Sequence, residues 1–177
     1  KGVLAWLCVV VPISLLCFAL TCWLATLDLW LALVVHACML YFSLGLRSLR
    51  EHILPIAHAL QAADLPQARM LAGRIVSRDT SHSSEQELAK AGVESLLENG
   101  NDAVFATLFW FAIAGGPGAV MFRLANTLDA MWGYRSARYA QFGWAAARID
   151  DGLNLIPARL TALSYVMLGN TRDAWRC

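Results

Sequence analysis

The amino-acid sequence predicts an all-α, polytopic integral membrane protein with a cytoplasmic helical segment between its spans. Three observations carry that expectation. Hydrophobic residues make up 58% of the 177 positions and charged residues only 15%, well to the apolar side of soluble domains. The stretch from Gly2 to Leu27 contains no charged residue, and a bilayer core needs about 20 such residues as a helix. No run alternates apolar and polar side chains as a strand would, and no internal repeat is present.

The first apolar run is too long for the core of a signal peptide, which is about 7–15 residues, and no small-residue cleavage site closes it. Pro12 is tolerated as a kink in a membrane helix. Asp28 interrupts the run, and Leu29 to Leu46 forms a second span whose one polar member, His36, is assigned a helix-packing role. Arg47 and Arg50 follow directly, and the excess of positive charge on cytoplasmic flanks places them inside and Asp28 outside. Residues 1–50 are therefore expected to form a transmembrane hairpin.

Residues 51–102 read as a cytoplasmic helical segment with an acidic face. Ile56 to Ala63 and Pro66 to Val76 carry apolar residues at helical spacing around an Asp64-Leu65-Pro66 break, which points to an antiparallel pair. Ser84 and Glu87 have the spacing of a capping box that opens a helix towards Leu97. Asn99-Gly100-Asn101 is read as a stop or a turn. Residues 103–177 are expected to be membrane-associated helices bearing polar site residues. Gly115-Gly116-Pro117-Gly118 divides the uncharged run from Ala103 to Phe122, giving a broken span or a helix that enters and turns back. The chain, which begins at Lys1 and stops at Cys177, is expected to be a piece of a longer protein.

Charge and cysteine usage exclude several classes. A net charge of +1 provides no basic surface for nucleic acid. Cys8, Cys17, Cys22, Cys38 and Cys177 form no C-x-x-C pair and are read as small apolar packing residues rather than a disulfide or zinc framework.

The chemistry is expected in polar residues set into this apolar chain. Glu94 and Glu98 lie four residues apart on one helical face, with Asp102 a further turn on if the helix continues. Little basic residue stands nearby in sequence to pair with them. Such carboxylates near a membrane surface suit Mg²⁺ or a cationic substrate group. Arg123, Asn126, Thr127 and Asp129 form a polar helical face, and Tyr134, Arg135, Arg138 and Tyr139 a basic-aromatic segment suited to phosphate or carboxylate. Finally Arg148, Asp150, Asp151, Asn154 and Arg159 combine paired acids with an amide, a donor set able to hold hydrated Mg²⁺ against a phosphate. A salt-bridge network among Arg148, Asp150 and Arg159 is the structural alternative. Burying so many polar groups without a ligand or mutual pairing would be costly.

These residues also occur in order. Arg78-Asp79-Thr80, Glu94-Ser95, Glu98-Asn99, Asp102 and Leu108-Phe109-Trp110 are followed by Gly116-Pro117-Gly118-Ala119, Arg123, Asn126 to Met131, Gly133-Tyr134-Arg135 and Arg138-Tyr139. Phe142 to Arg148, Asp150-Asp151, Asn154 and Ile156 to Thr161 complete the set. This pattern resembles the adenosylcobinamide-phosphate synthase family of vitamin B12 biosynthesis, often called CobD or CbiB. The likeness covers nearly the whole chain and is weakest in the first two spans. Ser77, Thr107, Phe122 and Ala137 depart from the family's usual glycine, proline, tyrosine and glutamate, and the family's terminal His-Pro, Ser-Pro-Asn and Pro-Glu-Ala segments are not found.

The resemblance implies an ATP-dependent, Mg²⁺-requiring amide condensation, in which adenosylcobyric acid and aminopropanol or its phosphate give adenosylcobinamide or its phosphate. It implies Glu94, Glu98, Asp102 and Asp129 as catalytic candidates and Asp150 and Asp151 as metal ligands. Substrate or phosphate contacts fall to Arg78, Asp79, Thr80, Arg123, Asn126, Tyr134, Arg138, Arg148, Asn154 and Arg159. The implied partners are the corrinoid, the amine, the lipid bilayer of the inner membrane and other membrane enzymes late in the B12 pathway, with the site facing the cytoplasm. A non-catalytic membrane sensor distantly related to the family is the competing reading. A prenyl-transfer enzyme, suggested by Asp150-Asp151-x-x-Asn154, would want a second Asp-rich motif that the sequence lacks.

Overall fold

A computed structural model describes residues 2–76, 78–132 and 143–169. All regular structure among them is helical: α1 (Gly2–Leu27), α2 (Leu29–Ser43), α3 (Leu46–Gln61), α4 (Leu65–Ala72), α5 (Glu85–Gly100), a π-helical turn (Asn101–Phe105), α6 (Ala106–Trp132) and α7 (Gly143–Leu168). Three helical stretches are long and apolar enough to cross a membrane, Gly2–Leu27, Leu29–Gln61 and Glu85–Trp132. The all-α, polytopic architecture read from the sequence is the one observed. The chain divides into two compact units, one holding residues 1–44 and 105–177 and the other residues 45–104.

In the first unit, Asp28 is the single residue between α1 and α2. It ends one helix and starts the next, accepting the Leu31 N–H at 3.0 Å through its side chain, as N-cap aspartates do. Trp6 and Val10 of α1 pack against Ala125 and Leu128 of α6 and Ala146 of α7. Small residues at that seam let the helices approach closely. The outward faces are apolar: Leu16 is 70% and Phe42 80% exposed, which suits hydrocarbon and not water.

The break in the third apolar run is one bent path. Ala114 (φ −132°, ψ 16°) and Gly115 (φ 64°, ψ −155°) leave helical geometry, and α6 resumes at once. Gly115 occupies backbone space that is essentially restricted to glycine. The resumed half begins with orphan N–H groups. Pro117 has none to satisfy, and the Gly116 N–H donates to Nδ1 of His36 at 2.8 Å. His36, expected to pack between helices, thus also supplies a hydrogen bond.

A second interruption is mended in the same way. Pro157 lies inside α7 and has no N–H for the carbonyl four residues earlier. That carbonyl belongs to Leu153, and the Trp110 indole N–H of α6 donates to it at 3.2 Å.

In the second unit α3, α4 and α5 enclose Ile56, Ala59, Ala68, Ala72 and Leu88. The α3–α4 pair spaced by Asp64 is as the periodicity predicts, though α3 begins ten residues before Ile56, at Leu46, and carries Arg47 and Arg50. The second span is correspondingly shorter, because Leu44 turns extended (φ −72°, ψ 128°). The Ser84–Glu87 capping box is complete in both directions. Asn99-Gly100-Asn101 does not stop the chain: helical structure runs on through the π turn, with Asn101 buried and its amide donating to Asp102 at 2.9 Å.

Leu88 is fully buried in this core, so Leu88→Ala is expected to lower stability by about 2–5 kcal/mol. Ser84→Ala, which removes one cap, is expected to lower it by about 1 kcal/mol. Thermal unfolding of the detergent-solubilised protein would rank the two.

Candidate functional site

The loop before α5 is held by its own motif residues. The Thr80 hydroxyl is buried and donates to the Arg69 carbonyl at 2.8 Å, while the Arg69 guanidinium donates to the Ser83 carbonyl at 2.9 Å. The Ser81 backbone N–H donates to the Asp79 carboxylate at 2.9 Å, and its hydroxyl donates to the same oxygen. The Ser81 hydroxyl, then its amide, hold the Asp79 carboxyl below the usual carboxylate range. Thr80, predicted to contact substrate, therefore spends its donor on the loop, and Asp79 shapes a turn.

This loop presents Arg78 to α5. The Arg78 guanidinium lies 3.7 Å from one Glu94 oxygen and the Lys90 ammonium 3.7 Å from the other. The acid face is therefore not short of bases: one comes from the same helix four residues back, the other from a loop sixteen residues away. Glu94 and Glu98 are both exposed on α5, and Asp102 is half-buried in the π turn. The wider turn there, with its i→i+5 bonding, shifts Asp102 off the strict four-residue series.

The other polar set lies in the first unit. On α6, Arg123, Asn126 and Asp129 are half-buried, and the exposed Thr127 hydroxyl donates to the Arg123 carbonyl at 2.7 Å. On α7, Asp150 is buried with 7% of its surface exposed, and the Asn154 amide donates to it at 3.1 Å. Asp151, one residue on, points elsewhere: it is exposed and 3.6 Å from Arg148. Arg159 is exposed and donates to the Leu155 carbonyl. Tyr134, Arg135, Arg138 and Tyr139 lie outside the described residues.

The two aspartates of the expected metal pair thus face different surroundings. Among the described residues no three His, Cys, Asp or Glu side chains converge as a metal cage. Asp150 is the buried one of the two, with the Asn154 amide N–H donated to its carboxylate. Mg²⁺ commonly takes one or two protein carboxylates and completes its shell with water and substrate phosphate. The Asp150 carboxylate suits that demand as a single protein ligand, while Asp151 lies exposed beside Arg148.

His36 and Trp110 have roles that residue spacing does not reveal. Both bond to backbone groups of other helices, and the sequence offers only an isolated histidine in a span and a tryptophan within an apolar run.

Comparison with known proteins settles the family. The CobD/Cbib protein family matches residues 1–177. The chain belongs to the CobD/Cbib family. It is 57% identical over 176 residues to a protein of Stutzerimonas stutzeri named cobalamin biosynthesis protein CobD, covering 99% of this chain and 56% of that one. The like-named protein of Chromobacterium violaceum is 56% identical over 161 residues, covering 90% and 51%, and that of Rhodobacter capsulatus 41% identical over 172 residues, covering 97% and 54%. The chain therefore spans about half the length of these curated relatives. No solved structure matches it. Both polar sets fall inside the CobD/Cbib match.

Two outcomes follow from this geometry. The folded-state pKa of Asp79 lies below its unfolded value, so its contribution is complete above the ordinary carboxylate range and is lost as pH falls through the lowered value. The Ser81 amide is expected to keep its hydrogen-exchange protection down to about pH 4 and to lose it only below, whereas Asp79→Ala removes it at every pH. Glu94→Gln breaks two exposed ion pairs and is expected to change unfolding stability by less than about 1 kcal/mol.

Proposed function

We propose that the protein acts in cobalamin biosynthesis as an amide-forming ligase. It joins a side-chain carboxylate of adenosylcobyric acid to the amine of aminopropanol or its phosphate, consuming ATP with Mg²⁺. Membership in the CobD/Cbib family across residues 1–177 is the observation that carries this reading. The polar residues set into an otherwise apolar chain support it, since ionisable groups in membrane segments are costly and tend to mark substrate sites.

The reaction asks for three jobs. The carboxylate becomes electrophilic by accepting a phosphoryl group from ATP, the amine attacks the carbonyl carbon, and phosphate leaves as the C–N bond closes. Before attack, the amine must give up a proton. Glu98 and Glu94, exposed on α5, suit the ammonium group and the lost proton, with Asp102 beyond them. Arg123, Arg148 and Arg159, with Tyr134 and Arg138 outside the described residues, suit phosphate oxygens. Asn126 and Asp129 share the Arg123 face of α6. Asp150, with the Asn154 amide donated to it, would hold Mg²⁺, which would neutralise phosphate charge. Arg47 and Arg50 after the second span support an inner-membrane protein whose acidic helical unit faces the cytoplasm, where ATP is. Association with other membrane enzymes late in the pathway belongs to the same proposal.

Purified full-length protein supplied with adenosylcobyric acid, ATP, Mg²⁺ and each amine in turn is expected to release the corresponding cobinamide. Glu98→Gln and Asp150→Asn are each expected to lower turnover by about a hundredfold or more. Full activity in both variants would overturn the assigned residues. No turnover with either amine from folded protein would favour the non-catalytic sensor.

A further inference from the structure

The bend in α6 is clamped from two sides. At Gly115 a Cβ would lie 2.7 Å from Cε1 and 2.8 Å from Nδ1 of His36, and at Gly116 it would lie 2.8 Å from Sδ of Met39 and 3.1 Å from the His36 Cα. The second helix thus touches backbone at the break, with the imidazole seated on Gly115. On the other side, a Cβ at Gly118 would collide with the Trp110 carbonyl, and the Trp110 indole is tied to Leu153 of α7. Neither half of α6 can rotate without breaking one of these contacts.

The bond from Gly116 fixes the chemistry of the ring. An imidazole nitrogen that accepts an N–H carries a lone pair, so the proton of the neutral ring resides on Nε2. What the clamp sets is the rotation of the second half of α6. Arg123 lies about two turns beyond Gly116 and Asn126 about three, and the same half packs Ala125 and Leu128 against α1 and α7. A turn of this half-helix would carry Arg123, Asn126 and Asp129 around its axis, while Asp150 and Asn154 stay with α7.

We propose that His36 is a positioning residue of the polar set on α6 and α7, acting through its Nδ1 lone pair on the Gly116 N–H and not by packing alone. As a statement about turnover this rests on the amide-forming reading above; as a statement about the hydrogen bond it does not. Asparagine places an acceptor oxygen on the same branch atom as Nδ1, whereas leucine fills the space with no acceptor.

The test uses full-length protein in detergent with three variants. Nitrogen-15 spectra of the wild type are expected to show His36 Nδ1 unprotonated and hydrogen-bonded and Nε2 protonated. His36→Leu is expected to speed exchange of the Gly116 amide and to lower kcat at least about tenfold, since small misplacements of positioned groups cost that much or more, with KM changed less than about threefold. His36→Asn restores both readings to near wild type. Gly115→Ala, which leaves the histidine in place but pushes it off, reproduces the leucine variant and decides the matter if that variant fails to fold. A protonated Nδ1, a Gly116 amide as protected in His36→Leu as in the wild type, or full kcat in both His36→Leu and Gly115→Ala overturns the inference. If the wild type itself forms no amide, the proposed function fails while the spectra and exchange still decide the hydrogen bond.

Discussion

Backbone N–H and C=O groups placed in hydrocarbon have no water to turn to, and each left unsatisfied costs several kcal/mol. The membrane unit of this chain is organised around that constraint. Its long helices are interrupted at Ala114–Gly115 in α6 and lose a backbone bond at Pro157 in α7. Each interruption is mended by a side chain from another helix: His36 takes the Gly116 N–H, and Trp110 reaches the Leu153 carbonyl that Pro157 cannot. The same two bonds connect α2 to α6 and α6 to α7. Repairing the backbone and fixing the packing are therefore one act.

The second unit is built differently. Its helices are amphipathic, its core is five small or branched apolar residues, and its polar motif residues bond to one another across the loop before α5. Asp79, Thr80, Ser84 and Glu87 build that loop, which leaves Arg78 and Glu94 exposed beside each other, with Glu98 exposed further along α5. Exposed ion pairs such as Arg78–Glu94 add little stability. A charged group that contributes little to folding is one whose presence a ligand can explain.

What was legible in the sequence was what local physics decides. The apolar runs at Gly2–Leu27 and after Asp28, the Asp64 break and the Ser84–Glu87 cap all depend on residues within one or two turns of each other, and each was placed within a few positions. The glycine-rich break was legible as a break. Its partner was not, because His36 lies eighty residues from Gly116 and a lone histidine in a span carries no sign of what it will touch. The pairing of Arg78 with Glu94 was hidden for the same reason, and the π turn at Asn101 because a Gly-Asn dipeptide ordinarily reads as a stop. At the site, spacing found the polar faces but did not separate Asp150 from Asp151. Adjacent residues on a helix point about 100° apart, and only packing decides which of them is buried.

We propose that these faces serve ATP-driven amide formation through a phosphorylated carboxylate. The most direct test follows the oxygen. With the reacting carboxylate of adenosylcobyric acid labelled with oxygen-18, turnover by the full-length protein with ATP, Mg²⁺ and the amine is expected to deliver one labelled oxygen into the released inorganic phosphate for each amide formed. Inorganic phosphate released without label, while amide accumulates, would contradict the account.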